Sequence, residues 1–165
     1  MSLFHFKIEL LPAAYFSGGR PATLSGNDID RGNDEHSGWW AMYPPSDRLL
    51  EKLRALLPKN ESWGDVEEYV SPKPHGSDIR IWKDEAGRVS IISFRYSLGA
   101  DDWSLMERFI TIAREENCLL VVEGDGGAVM NPEAAVVLEE FKKSRAMRFF
   151  RDPSAGLEGG RRLER

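Results

Sequence analysis

The chain has 165 residues, 41% of them hydrophobic, 30% charged and 10% aromatic, which suits one globular domain with a real core and excludes the disordered class. No run of about 18 apolar residues is present to span a bilayer, and the single cysteine, Cys118, excludes an intramolecular disulfide and a cysteine-rich zinc site. The net charge of −5 is unevenly spread: residues 142–165 carry eight Lys/Arg against three acidic residues, leaving 14 positive and 24 negative charges in residues 1–141. An acidic body of this kind repels nucleic acid and attracts basic partners.

In chain order, Phe4, Phe6, Ile8 and Leu10 alternate with His5, Lys7 and Glu9, the period of a half-buried strand. Lys7 and Glu9 also break up any signal-peptide core, so a cytoplasmic location is expected. Residues 13–45 hold five glycines and three prolines with the acidic run Asn27-Asp28-Ile29-Asp30 and Asp34-Glu35, and this composition predicts a long loop. Asp47 to Leu57 is predicted as a helix, with Leu49, Leu50, Leu53, Leu56 and Leu57 on one face, Ser46 as cap and Pro58 as stop. Ser71 to Gly76 reads as an extended turn.

Asp78–Lys83 and Arg88–Ser97 form a predicted hairpin around a loop ending in Gly87, where positive φ is expected. A second helix starts at Asp101 or Asp102 and is apolar over more than half its circumference, from Trp103 to Ala113. Leu119–Glu123 and Gly127–Met130 flank Gly124-Asp125-Gly126 as a second hairpin. Asn131 as N-cap and Pro132 at the first helical position then open a helix reaching about Phe149. This order of elements predicts an α+β two-layer sandwich. Its core is a ferredoxin-like β-α-β-β-α-β plan, with an additional hairpin strand and a C-terminal helix. Residues 1–150 are read as one domain and residues 151–165 as a flexible basic tail, which lacks the interleaved aromatics of single-strand nucleic-acid binders.

Cys118 precedes the apolar run Leu119-Leu120-Val121-Val122, so it is expected to be a buried, inert thiol rather than a nucleophile. His5, His36 and His75 are 31 and 39 residues apart, without the i, i+4 spacing of a metal pair. Gly18-Gly19-Arg20 and the glycines at 124–127 lack the context of a phosphate loop, and hydrolase signatures are absent. Neither a cofactor nor a metal site is therefore expected.

Two readings of function follow. The favoured one is a non-catalytic, acidic protein-binding module of the inhibitor or toxin-immunity type. Trp39 and Trp40, with Tyr43 and Trp63, would be its exposed anchors, and Asp28, Asp30 and Asp34 would steer a partner with a basic surface. The alternative is a small enzyme or ligand-binding domain that grips an anion on a sheet face bearing Arg80, Arg95 and Trp82, with His75 nearby. Convergence of Arg80, Arg95 and His75 in one concavity would favour the alternative, and dispersal would favour the first. The contrasting expectation for that face is that the long loop and its Trp39-Trp40 fold over it, with the arginines paired to acidic loop residues.

Overall fold

The computed structural model describes residues 5–124 and 126–152. Seven strands form an antiparallel sheet: β1 (His5–Pro12), β2 (Thr23–Leu24), β3 (Val66–Val70), β4 (Asp78–Lys83), β5 (Val89–Ser97), β6 (Cys118–Val122) and β7 (Gly127–Met130). They are ordered β2-β7-β6-β1-β5-β4-β3. Six helices accompany them among the described residues: α1 (Gly26–Gly32), α2 (Trp39–Met42), α3 (Asp47–Arg54), α4 (Trp103–Glu115), α5 (Ala134–Lys143) and α6 (Arg145–Arg151). The α+β class is as expected, whereas the sheet has more strands than the expected plan.

The sheet period sorts the side chains into two faces. Phe6, Ile8 and Leu10 of β1, Ile92, Phe94 and Tyr96 of β5, and Ile79 and Ile81 of β4 are all buried, and they meet the helices. Phe109 of α4 stacks on Phe94 with ring centres 4.5 Å apart, and Phe141 of α5 meets Phe6 edge-on at 5.3 Å. α3 packs beside α4, and Lys52 bridges Glu115 and Glu116 at its C-terminal end. Asp102 caps α4 by accepting from the Ser104 amide, and Ser46 caps α3 through Leu49, both at the expected positions.

Several expectations are corrected. The segment 13–45 is not a plain loop: it holds a 3-10 turn at Ala13–Phe16, β2, α1 and α2. α1 forms because Ser25 and Asp28 make a reciprocal capping box. The predicted helix over 47–57 ends at Arg54. β3 occupies residues between Trp63 and the 71–76 turn, where no strand was expected. The long C-terminal helix is two helices, split where Ser144 takes extended backbone and caps α6 through Met147. Its start lies at Ala134 behind Glu133, so Asn131 is not the cap. Gly87 has the expected positive φ of 78°. Phe4, Asp125 and the tail beyond Asp152 lie outside the described residues.

Candidate functional site

The sheet face opposite the main helices carries the charged residues. Register aligns Glu9, Ser93, Arg80 and Glu68 in one row across β1, β5, β4 and β3, and Lys7, Arg95 and Asp78 in the next. Asp78 is almost fully buried. Arg95 donates to it through Nε at 2.9 Å and also through Nη2. Arg80 donates to Glu68 Oε1 through Nε and Nη2, each at 2.9 Å, and its Nε lies 3.3 Å from Asp78. The arginines are thus held by carboxylates of the sheet, not by acidic residues of the loop as one expectation had it. Such forked pairs fix a guanidinium in direction as well as charge.

In front of those pairs lies a cleft of about 170 Å³, lined by Lys7, Glu9, Arg80, Trp82, Ile91, Ser93, Arg95 and Glu123. Asp78 and Glu68 do not line it, so they stand behind the guanidinium groups. Lys7 pairs with Glu123 at 3.4 Å. Glu9 is 9% exposed and takes one long contact, from the Asn33 side chain at 3.4 Å. Burial, opposed by the Asn33 contact and reinforced by Glu123, pushes its carboxyl up to about 7. His75 does not join this cleft. It lines a separate hollow of about 420 Å³ with His5, Ser97 and Phe150, and its φ of 54° places it in a left-handed turn. The three residues named together from sequence are therefore divided: Arg80 and Arg95 converge with Trp82, and His75 is elsewhere.

The expectation that Trp39 and Trp40 are exposed is corrected: they are 2% and 3% accessible. The Trp39 ring lies against Gly32, so closely that a Cβ there would sit 1.6 Å from it, and its Nε1 donates to Asn33 Oδ1 at 2.8 Å. Tyr15 meets it edge-on at 5.1 Å. Trp40 Nε1 donates to the Leu10 carbonyl at 3.1 Å. Trp40 thus ties the 13–45 segment to the sheet and Trp39 closes the segment on itself, because an indole can bury its area while its N–H finds a partner. Asp28 and Asp34 likewise have local duties. Asp28 caps α1 and pairs with Arg31, while Asp34 accepts from the His36 and Ser37 amides. Asp30 is exposed.

Residues that follow the buried pair face outward. Met42 is 57% exposed and Tyr43 38% exposed, and they border a groove of about 410 Å³ floored by Trp40 and Leu49 and edged by Pro12, Pro44 and Pro45. Tyr43 is exposed as expected, whereas nothing in the sequence marks Met42, since one methionine beside two tryptophans carries no periodic signal. Trp63 is exposed as expected and meets Trp82 edge-on at 5.8 Å. Glu9 was overlooked as a site residue, although the alternation of β1 already placed it on the polar face.

Two other features are structural. A hollow of about 550 Å³ beside β3 contains Glu67, whose burial is outweighed by hydrogen bonds from Arg54, Lys83 and Tyr69 that take its carboxyl down to about 2. Cys118 is buried, and desolvation followed by the Glu116 charge pushes its thiol up to about 12, the opposite of an activated nucleophile. Among the described residues no group of three or more His, Cys, Asp or Glu side chains is placed to hold a metal, and no helix is long and apolar enough to cross a membrane. No protein-family model, curated protein or solved structure matches the chain.

Proposed function

We propose that this chain is an acidic protein-binding module that docks a basic partner through the outer surface of residues 26–46. The observation that carries the reading is the largely apolar groove at Met42 and Tyr43, which also has Glu116 in its lining and follows in sequence the acidic stretch containing Asp28, Asp30, Asp34 and Glu35. An apolar centre beside a charged approach is the anatomy of a protein interface: the anchors hold and the charges steer. The occupant that fits is a protein segment offering an apolar side chain flanked by Lys or Arg, in keeping with the excess of 24 acidic over 14 basic residues in positions 1–141. Inhibitors of the toxin-immunity kind work by this logic of charge. We further propose a ferredoxin-like core made of β6-β1-β5-β4, with α3 and α4 as its crossover helices; the order of these four strands supports it.

The test is capture from an extract of the source cells on immobilised wild type and on a Met42→Glu variant. Proteins held by the wild type alone are then identified, purified and measured singly for binding. A basic protein whose dissociation is accelerated roughly tenfold or more by Tyr43→Ala supports the reading. Binding that survives both substitutions unchanged places the interface elsewhere.

A further inference from the structure

The cleft on the opposite sheet face has a chemistry of its own, distinct from the docking groove at the C-terminal end of β1. We propose that it binds small carboxylates, with Arg80 and Arg95 as the anchoring cations and the Glu9 carboxylic acid as a hydrogen-bond donor.

The argument begins with the two arginines. Each spends Nε and Nη2 on Asp78 or Glu68, so those carboxylates set its direction and do not use Nη1. A guanidinium already fixed in place loses little freedom when a ligand arrives. Charge comes next. Of the groups lining the cleft, Lys7 and Glu123 neutralise one another, and Arg80, Arg95 and Glu9 line it beside them. With Glu9 protonated the lining carries more positive than negative charge, and apart from the Glu123 carboxylate, which Lys7 engages, its polar groups are able to donate: the guanidinium groups, the Ser93 hydroxyl and the Glu9 acid proton.

Shape limits the occupant. A cleft of about 170 Å³ is below the ~300 Å³ at which drug-sized pockets begin, while Trp82 and Ile91 give it an apolar wall. A planar monoanion with a small apolar body fits these features. A dianionic phosphate fits poorly, because Glu123 and the carboxylates behind the arginines oppose the second charge. The charged groups that line the cleft with Glu9 are Lys7 on its own strand, Arg80 from β4, Arg95 from β5 and Glu123 after β6, while the uncharged Asn33 side chain donates to the Glu9 carboxyl from the 13–45 segment. Carboxylate binding favours the protonated acid, so ligand and proton bind together. Burial holds that carboxyl near pH 7 in the free protein, and affinity should therefore fall about tenfold between about pH 6 and about pH 8 by linkage.

The experiment is an NMR titration of the full chain with sodium acetate, sodium benzoate and sodium phosphate at those two pH values and constant ionic strength. A short peptide with a free C-terminus and its amidated form are added as separate arms. The expected result is saturable shifts at Lys7, Glu9, Ser93, Arg95 and the Trp82 indole with benzoate at the lower pH, and about tenfold weaker binding at the higher. Glu9→Gln should still bind but with no pH dependence. The double variant Arg80→Gln/Glu68→Gln, which removes an ion pair without stranding a charge, should lose binding while keeping a folded spectrum. Preference for the free peptide over both benzoate and the amidated peptide assigns the carboxylate to a chain terminus, whereas preference for benzoate assigns it to a free acid; either supports the site. Absence of saturable shifts at these residues at the lower pH overturns the proposal. So do equal wild-type affinities at both pH values, tighter binding of phosphate than of any carboxylate, or saturable binding of the amidated peptide at this cleft as tight as that of the free one.

Discussion

Replacing Glu9 with Gln should stabilise the protein at about pH 8 and change it little at about pH 4, for a reason that can be worked through from its surroundings. Glu9 is 9% exposed and the Asn33 contact of its carboxyl, at 3.4 Å, is too long to offset the loss of water. Its folded value of about 7 stands above the ordinary 4.5. A group raised in this way contributes stability that is fully present below the unfolded pKa and is lost as pH rises through the folded one, because the unfolded chain gives up its proton first. The interval of 2.5 pH units between those values, at about 1.36 kcal/mol per unit, sets a ceiling of ~3 kcal/mol on the loss. Glutamine never ionises, so it escapes that loss. Urea unfolding of both proteins at a series of pH values measures the difference. Groups shifted the other way, such as Glu67, act on both proteins alike and cancel. The variant's advantage should grow from about pH 4.5 and level off above about pH 7; a difference that stays flat across this range would refute the account of Glu9.

Phe109→Ala should destabilise by ~3–5 kcal/mol, since it removes a fully buried ring stacked on Phe94; a loss under about 1 kcal/mol in chemical denaturation would contradict the packing described. Cys118 should react slowly with a thiol reagent in the native protein and rapidly once unfolded, because burial both blocks access and raises its thiol to about 12; fast native labelling at neutral pH would show an open site. Gly32→Ala should destabilise by ~1–3 kcal/mol because its Cβ meets the Trp39 ring. An unchanged denaturation midpoint would mean that this ring does not close the 13–45 segment.

Where the chain follows one strong local rule, its structure was legible in the residues. Alternation in β1, the hairpin chemistry around Gly87, the leucine stripe of α3 and the Asp102 cap each declare an element within a few positions, and burial of Cys118 followed from its apolar neighbours. The failures share a different cause: the deciding contact is distant in sequence. Trp39 and Trp40 look like exposed anchors until Gly32, Asn33 and the Leu10 carbonyl are brought to them. β3 has only five residues, and its two glutamates weaken the strand signal because their partners are Arg54, Lys83 and Arg80 from other elements. Arg80, Arg95 and Trp82 were placed on one face by the period of two, yet their pairing with Asp78 and Glu68 required the register between strands. His75 was grouped with them only by nearness in sequence, which the 71–76 turn does not translate into nearness in space.

The central claim, docking of a basic protein held by Met42 and Tyr43 and steered by the acidic residues of the 26–46 segment, is tested most directly by the ionic-strength dependence of the association rate. The measurement uses a purified partner from the capture experiment, with wild type and an Asp30→Lys/Glu35→Lys variant. These two positions are exposed and have no part in capping α1, whereas reversing Asp28 or Asp34 would also disturb the turns they hold. Complementary fields predict that wild-type association slows by about tenfold or more from low to high salt, and that the variant associates slowly and nearly independently of salt, with dissociation little changed in either case. Association that is insensitive to both salt and charge reversal would contradict electrostatic docking at this surface.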